Sequence, residues 1–442
     1  MIRRDALREY SRGSLWLLPL VAVVVSVALG AVLSRINVSS DSLLAFQGTS
    51  DDARSLLIGI SSTMVTVIAL LLGLAVVALQ LSSTQFSPRL LRNFLRDRPN
   101  QIVLAVFVGT FGYSAAGLFE VGVSGGERVN EFPRFAVTVA IGLLFLSLGL
   151  LVFFADHLAH SIQVDQVLRV VERNTLEVIN TLPTGGGPTP TPPDGAHAVP
   201  ASTSGYVQVA YVAELLRAAT AHQVHVRLRP RVGEHVVAGS VLAWVWPVAG
   251  ERSGPADDGW RRVDAAVTDA VRIGFERTLE QDPGLGMRQL CDAACKALSP
   301  AINDPYTAIQ AIEHLTVLYA AFAARPPGDI AGRAQGCMVT IPTRSFAEHL
   351  ALGVGLIRRY GAAEPTVVAA LLRLLTATLE ASAAADQSAV VEEQADLLVA
   401  AAVREVAEPA DLALVHAQRA VLDSALQARV TERAAGHRPP GR

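Results

Sequence analysis

The stretch Leu56–Leu81, LLIGISSTMVTVIALLLGLAVVALQL, decides the fold. Its about 26 residues carry no charge, and a helix needs only about 20 apolar residues to cross the hydrocarbon core of a bilayer. It reads as a membrane span. The segment behind it, STQFSPRLLRNFLRDR, crowds Arg89, Arg92, Arg96 and Arg98 into a short loop that charge bias places on the cytoplasmic side.

Working outward from that span, three more apolar runs appear at about residues 15–33, 102–123 and 135–154. Arg3, Arg4, Arg8 and Arg12 precede the first, and Asp41, Asp51 and Asp52 follow it, so the N-terminus is expected inside. The first run is too long for a signal peptide and lacks a small-residue cleavage site, which makes it a retained span. Four spans return the chain to the cytoplasm, giving a multi-pass protein of the cytoplasmic (inner) membrane with both termini cytoplasmic. The chain is 51% hydrophobic and 17% charged, against a charged share near 25% in soluble domains. That apolar excess lies in the first third; the rest reads as soluble.

In the soluble part, Ile162, Val164, Val167, Leu168, Val171, Leu176 and Ile179 recur near helical spacing, and residues 159–183 are expected to form a cytoplasmic stalk helix. Residues 184–204 are a Gly/Pro-rich linker. Residues 205–252 read as strand, helix and strands, a small β-containing module. Within it Pro230–Gly239, PRVGEHVVAG, resembles the turn of a biotinyl or lipoyl module, but it has no lysine and so no swinging arm. Residues 258–431 pattern as helices, Arg261–Leu279 the first of them, with one apolar run, Cys337–Ile341, suited to a strand that joins the β element. Residues 432–442 are a polar tail. The fold class expected is an α-helical membrane protein: four transmembrane helices followed by a mainly helical cytoplasmic region with a small β element.

Several functions lose ground on composition and motif. A net charge of −3 gives no electrostatic case for nucleic acid. No nucleophile elbow, phosphate loop, dinucleotide fingerprint or zinc-protease motif occurs, so no catalytic residue, cofactor or metal is assigned. Cys291, Cys295 and Cys337 are odd in number and lack zinc-knuckle spacing, which suits a reducing compartment. His222, His225 and His235 are read as surface histidines, a metal site being the alternative reading.

One segment is distinctive: Ile273–Leu315, IGFERTLEQDPGLGMRQLCDAACKALSPAINDPYTAIQAIEHL. Its Gly-Phe-Glu-Arg-Thr, Arg-Gln-Leu and Ala-Leu-Ser-Pro-Ala-Ile-Asn-Asp-Pro blocks, with the four-span start and the STQFSPR segment, resemble the domain-of-unknown-function 2254 family of predicted bacterial membrane proteins. The resemblance implies architecture and a membrane address, and no activity.

From the residues themselves, Ser299-Pro300 stops one helix, and Asp304-Pro305 supplies an N-cap and a first-turn proline for the next. Two readings stay open for this corner. Glu276, Arg277, Asp292, Lys296, Asn303 and Asp304 form a cytoplasmic polar site, or they build a capped corner in which Asp292 and Lys296 pair one turn apart. The second helix, AIQAIEHLTVLYAAFAA, carries no lysine or arginine to meet phosphate.

The spans hold no acidic, basic or histidine residue at mid-membrane, which weakens coupled transport. Ser62, Thr66 and Gln80 share a face of the second span and are candidate pore-lining residues; close helix packing is the other use of such residues. A pore from four-span chains requires a homo-oligomer. The leading expectation is therefore a homo-oligomeric channel-like protein with a regulatory cytoplasmic domain. The alternative is a membrane-anchored sensor or scaffold whose cytoplasmic part binds a protein or small ligand.

Overall fold

The computed structural model describes residues 16–36, 45–85, 98–121, 132–161, 163–183, 190–248, 257–326, 328–384 and 386–436. Arg3 to Arg12, Asp41, Arg89, Arg92, Arg96, residues 184–189 of the expected linker and the end of the tail lie outside them. The chain divides into two compact units, one up to Val167 and one from Leu168 onward.

The first unit holds α1 (Leu17–Leu33), α2 (Ser50–Gln85), α3 (Arg98–Glu120) and α4 (Arg134–Ser161). Within these, Ser50–Val77, Arg98–Glu120 and Arg134–Leu158 are long and apolar enough to cross a membrane; α1, with 17 residues, is a shorter apolar helix. Side chains such as Leu70, Leu72, Phe145 and Val152 are exposed, which is tolerable where the surroundings are lipid. Helix α3 is the most enclosed of the three. Its glycines explain how. A β-carbon at Gly109 would meet Ser26 Oγ of α1 at 2.8 Å, one at Gly112 would meet Val23 at 3.6 Å, and one at Gly117 would press on Leu57 of α2 at 3.3 Å. Small residues let the backbones approach, the packing mode of helices in lipid. Thr110 Oγ1 lies 3.1 Å from Ser147 Oγ of α4, and Tyr113 donates to the Ala136 carbonyl at 2.9 Å, so buried polar groups on α3 join it to α4.

From Leu168, α5 (Val164–Thr181) belongs to the second unit. Its apolar stripe, Leu168, Val171, Val178 and Ile179, is buried, and Glu172 meets His314 Nδ1 at 2.5 Å. The apolar stripe of the expected stalk helix thus packs inside this unit.

Two sheets follow. One has five strands in the order β1 (His197–Pro200), β5 (Val241–Pro247), β3 (Val224–Leu228), β8 (Cys337–Ile341) and β7 (Ile330–Ala334); the other orders β4 (His235–Val236), β2 (Gly205–Ala210) and β6 (Val271–Gly274). Helices α6 (Val212–His222) and α7 (Asp257–Asp269) complete this part. Strand β8 runs parallel to β3, with Val226 opposite Val339, and all five of its residues are buried. A continuous apolar run is what a strand covered on both faces looks like.

Two expectations change. His197–Pro200, inside the expected linker, pairs antiparallel with β5 and buries Val199. Arg261–Leu279, read as one helix, is helix only to Asp269; Val271–Gly274 then pairs antiparallel with β2. Val263, Val267 and Ala270 keep helical spacing up to the break, and four residues are too few to announce a strand by alternation.

The remaining helices are α8 (Pro283–Ala297), α9 (Pro305–Ala323), α10 (Phe346–Gly361), α11 (Pro365–Ala381), α12 (Gln387–Glu405) and α13 (Pro409–Gly436). Tyr319 of α9 is fully buried and donates to the His349 carbonyl of α10 at 2.6 Å. Gly353 lies against that phenol ring, where a β-carbon would collide with its hydroxyl, so α9 and α10 approach closely.

Candidate ligand-binding cleft

Three helix starts meet at one cleft in the second unit. Asp282 and Pro283 open α8, Ser345 and Phe346 open α10, Asp386 and Gln387 open α12, and all six line a cavity of about 470 Å³. The sequence dictates these starts: Pro283 takes the first helical position of α8, and Ser345 with Glu348 forms a capping box. In that box Ser345 N donates to Glu348 Oε2 at 2.8 Å, and Glu348 N donates to Ser345 Oγ at 3.2 Å. Each helix start presents backbone N–H groups and the positive end of its dipole.

Around these starts the walls are both charged and apolar. Arg231, Arg325 and Arg344 line the cleft together with Phe322, Ile330, Ile341 and Phe346. Most of the acidic groups are engaged. Asp282, 4% exposed, receives Arg277 Nε at 2.8 Å and Nη2 at 2.6 Å. Glu348 receives Arg231 Nη1 at 2.6 Å besides its capping bonds. Asp329 accepts from Thr343 N at 3.1 Å and lies 3.7 Å from Arg227. Arg325 donates to the Leu182 carbonyl, while Arg344 Nε is sealed from solvent with no hydrogen-bond partner. His349, in the first turns of α10, is 4% exposed; its ring meets Phe322 edge-on at 4.5 Å between centroids, and its Nδ1 is buried without a partner.

Protonation follows from these surroundings. Burial, helped by the positive charge of Arg344, pushes His349 down to about 3, so the ring is neutral at physiological pH. Burial raises the Asp282 carboxyl above the ordinary range, while the charge and hydrogen bonds of Arg277 and the charge of Arg344 oppose it. The backbone bond from Ser345, then the Arg231 pair, hold Glu348 down to about 2. The cleft thus keeps a neutral imidazole beside cationic guanidinium groups.

Of the candidate polar-site residues, Asn303 and Asp304 lie beside the end of α8, where the Asp304 amide donates to the Ala297 carbonyl at 2.9 Å and the Asn303 amide to the Ser299 carbonyl at 2.8 Å. Arg277 reaches the cleft region through its pair with Asp282. The Glu276 carbonyl accepts from Gln208 Nε2 at 2.7 Å, tying the segment after β6 to β2. Asp292 pairs with Arg288 at 2.7 Å, one turn before it. Lys296 sits in the last turn of α8, where a cation meets the negative end of the dipole. Asn303 takes a left-handed conformation, φ 51°, that turns the chain between α8 and α9. Asp304 caps α9, accepting from Thr307 N at 3.1 Å and Thr307 Oγ1 at 2.6 Å, and these bonds lower its carboxyl below the usual range. The corner is built as caps and turns require. His225 Nδ1 accepts from Met338 N at 3.1 Å, a link between β3 and β8, and His235 packs edge-on to Tyr206.

In α2, Ser62, Thr66 and Gln80 are exposed. Thr66 Oγ1 donates to the Ser62 carbonyl at 3.1 Å and Thr63 Oγ1 to the Gly59 carbonyl at 2.8 Å, so each hydroxyl proton is used within its own helix.

The sequence left Asp282, Arg344 and His349 unmarked. Two signals were present: Asp282-Pro283 repeats the Asp304-Pro305 pattern, and Ser345-x-x-Glu348 is a capping box. Nothing local marks His349, whose burial depends on α9 and α8.

The model of the DUF2254 family, described as predicted membrane protein, matches residues 12–377. The chain belongs to that family. Uncharacterised proteins of Mycobacterium bovis and of Mycobacterium tuberculosis are each 43% identical to it over 427 residues, covering 93% of this chain and 81% of the relative. No solved structure matches the chain. The family's description as predicted membrane proteins agrees with the three helices of the first unit that are long and apolar enough to cross a membrane.

Proposed function

We propose that the protein is a membrane-anchored sensor whose second unit binds a small ligand in the cleft between the starts of α8, α10 and α12. The observation that carries this is a cavity of ligand size, about 470 Å³, whose lining includes His349, a side chain 4% exposed with an unpartnered ring nitrogen. In this reading four spans anchor the chain in the inner membrane, and the arginine-rich flanks put the cleft in the cytoplasm. A cysteine at Ser87 labelled by impermeant reagent from outside would reverse that orientation.

The reading is tested with the full chain in lipid nanodiscs. The small-molecule fraction of a cell extract should raise its melting temperature, because a ligand that binds only the folded state stabilises by about 2.7 kcal/mol at a hundred times its Kd. Ala347→Trp, which fills the cleft from the start of α10, should abolish the rise. An equal rise in both proteins rejects the cleft.

The channel reading keeps one supporting observation. Gly59, Thr66, Gly73 and Gln80 recur every seventh residue on an exposed face of α2, and a β-carbon at Gly59 or Gly73 would meet nothing, as on a helix face open to a second copy. Conductance in planar bilayers that shifts with Gln80→Leu would favour it over the sensor.

A further inference from the structure

We propose, resting on the reading of the cleft as a ligand site, that its occupant is a small organic carboxylate with an apolar body, its carboxylate held by Arg344 and Arg325 beside His349.

Of the cleft's acids all but Asp386 are engaged, while Arg344 Nε has no acceptor. Asp282 is engaged by Arg277, Glu348 by Arg231 and its own capping box, and Asp329 by the Thr343 amide. Asp386 is exposed at the start of α12. Arg325 meets a backbone carbonyl, and the Nε of Arg344 meets no acceptor although it is closed off from water. A buried donor left unmade is costly, and a small shift of the Arg344 side chain that brings Nε to a ligand oxygen recovers that cost. The planar guanidinium fork matches a carboxylate with two parallel hydrogen bonds. His349 is the second independent sign of a ligand. Its Nδ1 is buried and unpartnered, and the ring supplies a hydrogen-bonding group without adding charge.

The choice among anions follows from the acids that share the wall. A phosphate brings a second negative charge toward Asp282 and Glu348, whereas a carboxylate brings one. An amine would place like charge against Arg344, and a neutral ligand would leave that guanidinium without a counter-charge. The apolar body is read from Phe322, Phe346, Ile330 and Ile341, which form the rest of the lining, and about 470 Å³ admits a molecule of drug-like size.

Calorimetric titration of the full chain in nanodiscs tests this with phenylacetate, hexanoate, inorganic phosphate and phenethylamine as probes. Phenylacetate or hexanoate should bind, phosphate more weakly, and phenethylamine not at all. Arg344→Gln should weaken carboxylate binding at least about tenfold, the scale of a lost charge-assisted hydrogen bond, and Arg344→Lys should recover part of it. Arg325→Gln gives the same readout from the other cation should Arg344→Gln fail to fold, and Arg404→Gln, outside the cleft, should leave affinity unchanged. Phenethylamine binding as tightly, phosphate binding more tightly, or Arg344→Gln and Arg325→Gln both retaining full affinity overturns the proposal. If neither carboxylate binds while the extract fraction still stabilises the wild type and not Ala347→Trp, the ligand class is wrong and the cleft stands; if both fail, both readings fall.

Discussion

Arg277→Ala is expected to destabilise the chain by about 3 to 5 kcal/mol at neutral pH, the usual cost of stripping one partner from a buried ion pair. Arg277 gives Asp282 two hydrogen bonds, at 2.8 and 2.6 Å, and the carboxylate is 4% exposed. Relaxation is blocked on one side, because Gly233, held at φ +83°, has its α-carbon pressed against that carboxylate, and a β-carbon there would collide with it. The cost should depend on pH. Burial already raises Asp282, and removing Arg277, which lowers it, raises it further. A carboxyl with a higher pKa folded than unfolded binds its proton preferentially in the folded state, so the penalty is full above the folded value and shrinks as pH falls through it. Denaturation at pH 7 and pH 5 checks this: the deficit should be smaller at pH 5, and Asp282→Asn in the Arg277→Ala background should recover part of it. A deficit below about 1 kcal/mol at both pH values would mean that the pair is solvated.

Acid is expected to act through His349. Burial and Arg344 hold its ring down to about 3, while in the unfolded chain it titrates near the ordinary 6.5. Between those values the unfolded state binds a proton that the folded state refuses. Stability therefore rises with pH across the window: this contribution is complete above about 6.5 and is lost as pH falls toward 3, at about 1.4 kcal/mol per pH unit for one proton. Asp282, raised by burial, has the opposite sign, while Glu348 and Asp304, both held low, add to the loss at the acid end, so the imidazole's share is read from the difference between the wild type and a His349 variant. His349→Gln keeps Asp282 and removes the imidazole. The wild type should lose more stability than this variant between pH 6.5 and 4, by an amount on the order of 3 kcal/mol. Equal losses would mean that the ring is charged in the folded protein.

How much of this was legible in the sequence depends on the range of the forces concerned. The membrane helices could be read because hydrophobic length is a local property: Leu56–Leu81 falls within α2, whose segment Ser50–Val77 is long and apolar enough to cross. Caps could be read for the same reason; Asp304 does at Thr307 what its place before Pro305 predicts. Asp282 also precedes a proline, yet its side chain turns to Arg277 and makes no cap bond, a choice set by burial that no spacing reveals. Strand β6 was hidden because its partner β2 lies more than sixty residues earlier and supplies the pairing. The cleft was hidden most completely. It is assembled from three helix starts and the turn after β3, and its informative groups, His349 and Arg344, are defined by what they fail to touch.

The central claim, that the cleft of the second unit holds a small ligand, is tested most directly by native mass spectrometry of the full chain released gently from nanodiscs. A small-molecule adduct should accompany the wild-type mass, remain on Arg404→Gln, and be absent from Ala347→Trp and reduced in Arg344→Gln. An adduct of the same mass and occupancy on all four proteins, or none on a wild-type chain shown to be folded, would contradict the account.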